Sequence, residues 1–295
     1  MDFLPTARIG QGGVEYVPGE DGTKLAVRIA GGSGARTPLV MLHGLQSHSG
    51  WFVQSQTFLA GLGFPVYAMD RRGSGLSEGA RGDCTSFRQM DADVLAVVNY
   101  ARAQHAAESV HVFGHCFGTI PAALFATAHP QVVASLMLAS SGIYTKVSLA
   151  LSRKLELALA KASRRAVEIP IPLRAEMFSE LSECVRFIHE DEARLKTATG
   201  SLYFEVRRAC QYIQVHRHLL TMPVFMASAG SDPICDTEAN ERFFWSLPSR
   251  HKLLVRYDRS RHVIEFSEQR DDFFRDLSWW MERFGDERHA KSAAA

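Results

Sequence analysis

Val110-His111-Val112-Phe113-Gly114-His115-Cys116-Phe117-Gly118-Thr119-Ile120 is the stretch that decides the fold of this chain. Residues 110–113 read as a buried strand, and residues 120–128 read as a helix that ends before Pro130. Between them, Gly114-His115-Cys116-Phe117-Gly118 has the G-x-S-x-G outline of a nucleophile elbow, with cysteine where serine is usual. Such an elbow is a sharp strand-to-helix turn that lifts one side chain into a site. Its glycines are needed because a Cβ there would meet the adjoining strand and helix.

Outward from this turn, strands and helices alternate. Residues 14–17 and 24–29 read as a hairpin around Pro18-Gly19-Glu20-Asp21-Gly22. Residues 38–42 and 64–69 are short continuous apolar strands, and residues 55–62 are helical up to Gly63. Residues 83–105 have helical apolar spacing, with Thr85 or Ser86 as the N-cap. Residues 132–138, 223–227 and 252–257 read as further strands, and residues 238–247 and 268–284 as helices. Phe273, Leu277, Trp280 and Phe284 form a core stripe on the last helix. This rhythm predicts an α/β fold with a mostly parallel sheet flanked by helices.

The rhythm breaks at residue 146. Residues 146–215 read as helices only, including 148–166, 177–189 and 197–212. They predict a helical cap inserted into a core made of residues 1–145 and 216–295. Open α/β sheets bind ligands at the edge such a cap would cover. Lys146, Arg153, Lys154, Lys161, Arg164 and Arg165 make the start of the cap basic. A solvated face is the default reading, with contact to a carrier-linked substrate as the alternative.

Bulk properties exclude several functions. With 295 residues, 46% apolar and 22% charged, the chain can bury a large core. A net charge of +1 supports neither a nucleic-acid partner nor a polybasic membrane surface. No run of 18 or more apolar residues predicts a membrane span. The start of the chain has no signal-peptide pattern. The five cysteines are scattered and lack C-x-x-C spacing. They predict neither a disulfide framework nor a zinc site and suit a reducing cytoplasm. No cofactor or metal is expected, and composition does not address oligomeric state. Gly73-Ser74-Gly75 lacks the rest of any phosphate-loop motif and reads as a tight turn.

A nucleophile needs a base, and the base needs an orienting group. Asp232 follows the strand that ends near Ala229, and His262 follows the last strand, so both fall on the sheet edge that carries Cys116. The expected roles are nucleophile for Cys116, general base and then acid for His262, and orientation of the imidazole for Asp232. Asp236 is the rival carboxylate, and a buried inert thiol is the alternative at Cys116. An oxyanion requires aligned N–H donors. Phe117 N–H and Leu45 N–H are the candidates, with His43 and Gly44 shaping the supporting loop. His115 and His111 read as packing residues.

These motifs together resemble the α/β-hydrolase superfamily and, within it, the monoacylglycerol-lipase and lysophospholipase-like group. The resemblance rests on Leu42-His43-Gly44 with His48-Ser49-Gly50, on Asp70-Arg71-Arg72-Gly73-Ser74-Gly75-Leu76-Ser77, on the elbow, on residues 229–236, and on His262-Val263-Ile264-Glu265-Phe266. It covers residues 14–284 and is weakest in the cap. Three positions depart from the group: Cys116 replaces serine, Ser74 replaces histidine, and Thr119 replaces a second glycine, the last two as packing adjustments. Dienelactone hydrolases and polyhydroxyalkanoate synthases, similar at the elbow only, also carry cysteine there.

A thiolate attacks activated acyl groups well, but it is also a good leaving group. Against an ordinary ester, the tetrahedral intermediate therefore tends to expel the thiolate and not the alkoxide. The expected function is a cysteine-dependent hydrolase that cleaves a carboxylic ester or acyl thioester through an acyl-Cys116 intermediate. The partner would be a small acyl substrate, including one linked to CoA or a carrier protein. Acyl transfer or cyclisation is the alternative enzyme reading. Small-molecule binding on a retired hydrolase scaffold is the alternative of another class.

Overall fold

The computed structural model describes residues 13–31, 36–147 and 167–285. One eight-stranded sheet organises them. Its strands are β1 (Val14–Pro18), β2 (Lys24–Ala30), β3 (Leu39–Leu42), β4 (Val66–Met69), β5 (Val110–His115), β6 (Val133–Ala139), β9 (Val224–Ala229) and β10 (Lys252–Tyr257). The spatial order is β1-β2-β4-β3-β5-β6-β9-β10. The β1–β2 hairpin is antiparallel and meets β4 antiparallel, and every later pairing is parallel. The sheet is thus mostly parallel, as the alternating elements predict.

The continuous apolar strands have a physical cause. Side chains alternate between faces, and both faces are covered. Val40, Leu42 and Val112 join one apolar cluster, while Leu39, Met41 and Phe113 join the other. The first face carries α2 (Phe87–His105) and α3 (Thr119–Ala128), and the second carries α1 (Val53–Gly61) and α7 (Arg270–Phe284). Ser86 caps α2 by accepting from Arg88 N, which settles the choice between Thr85 and Ser86. On α7, Phe273, Leu277 and Trp280 are buried as the stripe predicts. Residues 119–127 of α3 are all buried, so this helix is hydrophobic all round. Each such Leu, Ile or Phe contributes roughly 1.5–3 kcal/mol by leaving water.

The segment between β6 and β9 corrects one expectation. It is not all helical. β7 (Glu168–Pro170) pairs antiparallel with β8 (Thr197–Thr199), so residue 197 begins a strand and not a helix. Helix α4 is Ser182–Glu190 and α5 is Gly200–His216. Thr199 caps α5 by accepting from Leu202 N. The Thr-Ala-Thr run is too short for periodicity to register, and its β-branched ends favour the strand. The helix expected at 148–166 lies outside the described residues. The chain re-enters the sheet at β9, and α6 (Thr237–Trp245) connects β9 to β10.

Candidate active site

The elbow forms as the glycines require. Cys116 has φ +52°, a left-handed conformation that costs a non-glycine residue of order 1–3 kcal/mol. A Cβ on Gly114 would lie 2.4 Å from Gly118 O, and one on Gly118 would lie 2.1 Å from Leu42 O. Thr119 does more than pack. Its Oγ1 donates to Cys116 O at 2.6 Å and accepts from Gly142 N at 3.0 Å. Gly142 N also donates to Cys116 O at 3.0 Å. The strained turn is therefore clamped through its carbonyl.

The loop after β10 brings His262 to the same edge. Its carbonyl is held by Ser140 Oγ at 2.6 Å and by His115 Nε2 at 3.2 Å. Ser140 is itself left-handed, with φ +43°. His262 Nδ1 lies 2.9 and 3.1 Å from the two oxygens of Asp232. The carboxylate also accepts from Ile234 N at 2.8 Å and Cys235 N at 2.9 Å. Both side chains are fully buried. The rival Asp236 faces elsewhere, accepting from Ala239 N as the N-cap of α6. Lys146, expected on a solvated face, donates to Asp232 O at 2.8 Å.

With Nδ1 directed at Asp232, His262 Nε2 has no hydrogen-bond partner among the described residues. Cys116 Sγ, Cys235 Sγ and a ring nitrogen of His262 all lie within 4.8 Å of one another. The Cys235 thiol, with His262 beside it, outweighs burial and holds Cys116 well below the ordinary thiol range. Burial disfavours a charged His262, but the Asp232 carboxylate and the Cys116 thiolate push it upward. Burial pushes the Cys235 thiol up, so it keeps its proton. These directions together describe a thiolate beside an imidazolium, with a neutral thiol next to both.

Leu45 and Phe117 line the same cavity as Cys116. The Gly44 position permits this approach, since a Cβ there would stand 3.3 Å from Cys116 Cβ. His43 Nδ1 bonds to Gly44 O at 2.7 Å, and its Nε2 accepts from Arg71 N at 2.9 Å. Burial lowers its pKa to about 3, so it braces the loop as a neutral ring. Ser74, which stands where the related group has histidine, accepts from Arg71 Nη2 at 2.6 Å. Arg71 in turn lies 4.5 Å from the centre of the Phe117 ring. His111 is a core residue bonded to Ser135 Oγ at 2.8 Å.

The cavity measures about 280 Å³ and its walls are largely apolar. Ile120 and Ile143 come from the core, and Ile171, Leu173 and Val206 come from the segment between β6 and β9. Sequence reasoning missed Cys235 and Ser140. Cys235 carried a signal, since it sits three residues after Asp232 in the same loop. Ser140 carried none, because its left-handed backbone is not encoded by a glycine.

The family described as serine aminopeptidase, S33 (Hydrolase_4) matches residues 34–269. The chain belongs to this family. The Hydrolase_4 match covers the elbow and both loops that supply Asp232 and His262, although this member carries Cys116 in place of serine. Human monoglyceride lipase is 25% identical over 272 residues, which is 88% of each chain. A monoacylglycerol lipase from Paleococcus ferrophilus superposes with a TM-score of 0.76 at 23% identity, covering 87% of this chain and 98% of that one. A soluble variant of monoglyceride lipase from Saccharomyces cerevisiae, solved with a substrate analogue, gives 0.80 at 17% identity, covering 97% and 99%. The fold is that of the α/β-hydrolase superfamily, and it is similar to that of these monoglyceride lipases. Among the described residues no helix is long and apolar enough to cross a membrane.

Proposed function

We propose that this Hydrolase_4 member is a cysteine-dependent acyl hydrolase of the cytoplasm, with Cys116, His262 and Asp232 as a catalytic triad. One observation carries the reading: His262 keeps one nitrogen on Asp232 and leaves the other open beside Cys116, at the wall of an apolar cavity. The Cys116 thiolate attacks the acyl carbon, forming a C–S bond. The carbonyl electrons move onto oxygen, which accepts from Leu45 N–H and Phe117 N–H. Losing one such donor costs roughly 3–4 kcal/mol of transition-state stabilisation. The intermediate collapses, and the leaving alkoxide or thiolate takes the proton from His262. Water then gives a proton to His262 and attacks the thioester, which releases the acid and the Cys116 thiolate.

The apolar walls suit an acyl chain, as do the monoglyceride lipase relatives. The cysteine favours a substrate with a good leaving group, so an acyl thioester is the preferred class and an activated ester the next. The described part of the segment 146–215 acts in this reading as a lid, since it supplies one wall of the cavity. Acyl transfer is the second reading, because the acyl-Cys116 thioester is open to amines and alcohols as well as water. The test is intact-mass analysis of the reduced protein with a panel of acyl esters and thioesters. An acyl adduct on wild type, absent in Cys116→Ala, is the expected result. Undiminished turnover in Cys116→Ala would remove the proposal. An adduct that water leaves intact but an added nucleophile clears assigns transfer.

A further inference from the structure

We propose that Cys116, Cys235 and His262 form a reversible binding site for a soft divalent cation of the zinc class, and that occupancy silences the thiol. The donors are two sulfurs and one imidazole nitrogen, all on buried side chains, gathered within 4.8 Å of one another. This is a donor set that selects zinc over hard cations. A tetrahedral zinc ion with Zn–S near 2.3 Å and Zn–N near 2.0–2.1 Å holds its donors roughly 3.5–3.8 Å apart. The three atoms therefore need to draw together by no more than about 1.3 Å.

The surroundings fit the same reading. The Asp232 carboxylate holds His262 Nδ1, which is how a metal-binding imidazole is commonly oriented from behind. The remaining nitrogen, Nε2, is the one without a partner among the described residues. Cys235 is fixed by its own backbone N–H on Asp232 and by its Sγ on Ser140 O at 3.2 Å. Cys116 lines the cavity, which provides a route for the ion and room for a water as the fourth ligand. Two thiolates neutralise the ion's charge in the buried site. Binding proceeds by release of the Cys235 S–H proton and the His262 Nε2–H proton to solvent, so affinity rises with pH. Binding does not depend on the proposed reaction. The silencing does, because the bound ion takes up the Cys116 sulfur and the His262 lone pair that the reaction uses.

Titration of the reduced, metal-free full chain with Cd²⁺ tests the site. The expected result is an ultraviolet thiolate-to-cadmium charge-transfer band that saturates at one equivalent and is displaced by Zn²⁺. Cys235→Ala loses the band, as does Cys235→Ser, which keeps a donor toward the Ser140 carbonyl. Cys84→Ala, outside the three-donor cluster, keeps it. Asp232→Asn weakens affinity by about 10–100-fold. Wherever an acyl-Cys116 adduct forms, Zn²⁺ blocks it over the same concentration range and a chelator restores it. A band that persists unchanged in both Cys235 variants, no band at micromolar Cd²⁺, or turnover stimulated by Zn²⁺ would overturn the proposal. Absence of any acyl adduct with the band intact would count against the proposed reaction alone.

Discussion

Two buried histidine–carboxylate pairs stand in different regions of this molecule, and the proposed reaction uses only one of them. His262 and Asp232 sit on loops at the edge of the sheet. His48 Nε2 lies 3.2 Å from Asp191, which comes from the segment between β6 and β9. Both pairs are almost fully buried. Both carboxylates are held below the usual range, burial being outweighed by the imidazole beside each. The difference lies in the second nitrogen. His48 Nδ1 accepts from Gly50 N at 3.1 Å, so that ring is closed at both ends. His262 Nε2 is open and stands beside a thiol. Asp191 also accepts from Trp51 Nε1 at 2.6 Å and Ala193 N at 3.0 Å, which ties the covering segment to the core. A buried His–Asp pair is thus not by itself a sign of reactivity. What matters is whether the ring keeps a free nitrogen facing a reactive group.

Substitutions can break this comparison. Cys116→Ala is expected to abolish the acyl adduct and to lower turnover by about 10⁴-fold or more, read by mass spectrometry and steady-state rates. His262→Ala should lower turnover by roughly 10²–10⁴-fold while thermal unfolding changes little. Asp191→Ala should do the opposite. It strands His48 and the Trp51 indole N–H, costs about 3–5 kcal/mol in denaturant unfolding, and leaves acylation of Cys116 in place. If Asp191→Ala kept full stability but lost the adduct, the two pairs would have to exchange roles.

A third buried carboxylate sharpens the point. Glu265 has Ser55 as its partner in place of a histidine, accepting from Ser55 N at 2.9 Å and meeting Ser55 Oγ at 2.7 Å. Burial pushes its pKa up to about 7. The unfolded chain releases this proton near pH 4.5, before the folded one does. Stability should therefore fall as pH rises from about 4.5 to about 7 and then level off, by up to about 3 kcal/mol. Glu265→Gln should flatten that slope in urea unfolding series, since the amide can serve both Ser55 groups. The smallest expected effect is kinetic. Alkylation of Cys116 by iodoacetamide should reach half its maximal rate below the ordinary thiol value of about 8.5, and Cys235→Ala should move that midpoint upward.

How much was legible in the sequence depended on local signals. The strands around the elbow were legible because a strand covered on both faces must be apolar throughout. Gly114 and Gly118 were legible because no Cβ fits at either position. Asp232 and His262 could be placed by their position after strand ends, since parallel strands deliver such loops to one edge. Thr197–Thr199 was misread because a three-residue strand is decided by its partner at 168–170, not by its own pattern. Thr119 and Ser74 looked like packing changes, and their bonds to Cys116 O and Arg71 exist only in three dimensions.

The sequence alone determined the alternating α/β order, the elbow and its cysteine, because each depends on burial or sterics within a few residues. Only the tertiary structure decided that Asp232, and not Asp236, meets His262, because the choice turns on how a four-residue stretch bends after β9. Only it placed Cys235 against Cys116 and His262. The spacing of the cysteines argued against a metal site because such motifs are read along the chain, whereas these donors converge from three separate loops. Convergence of that kind is a property of the packed sheet edge, and no local pattern of residues encodes it.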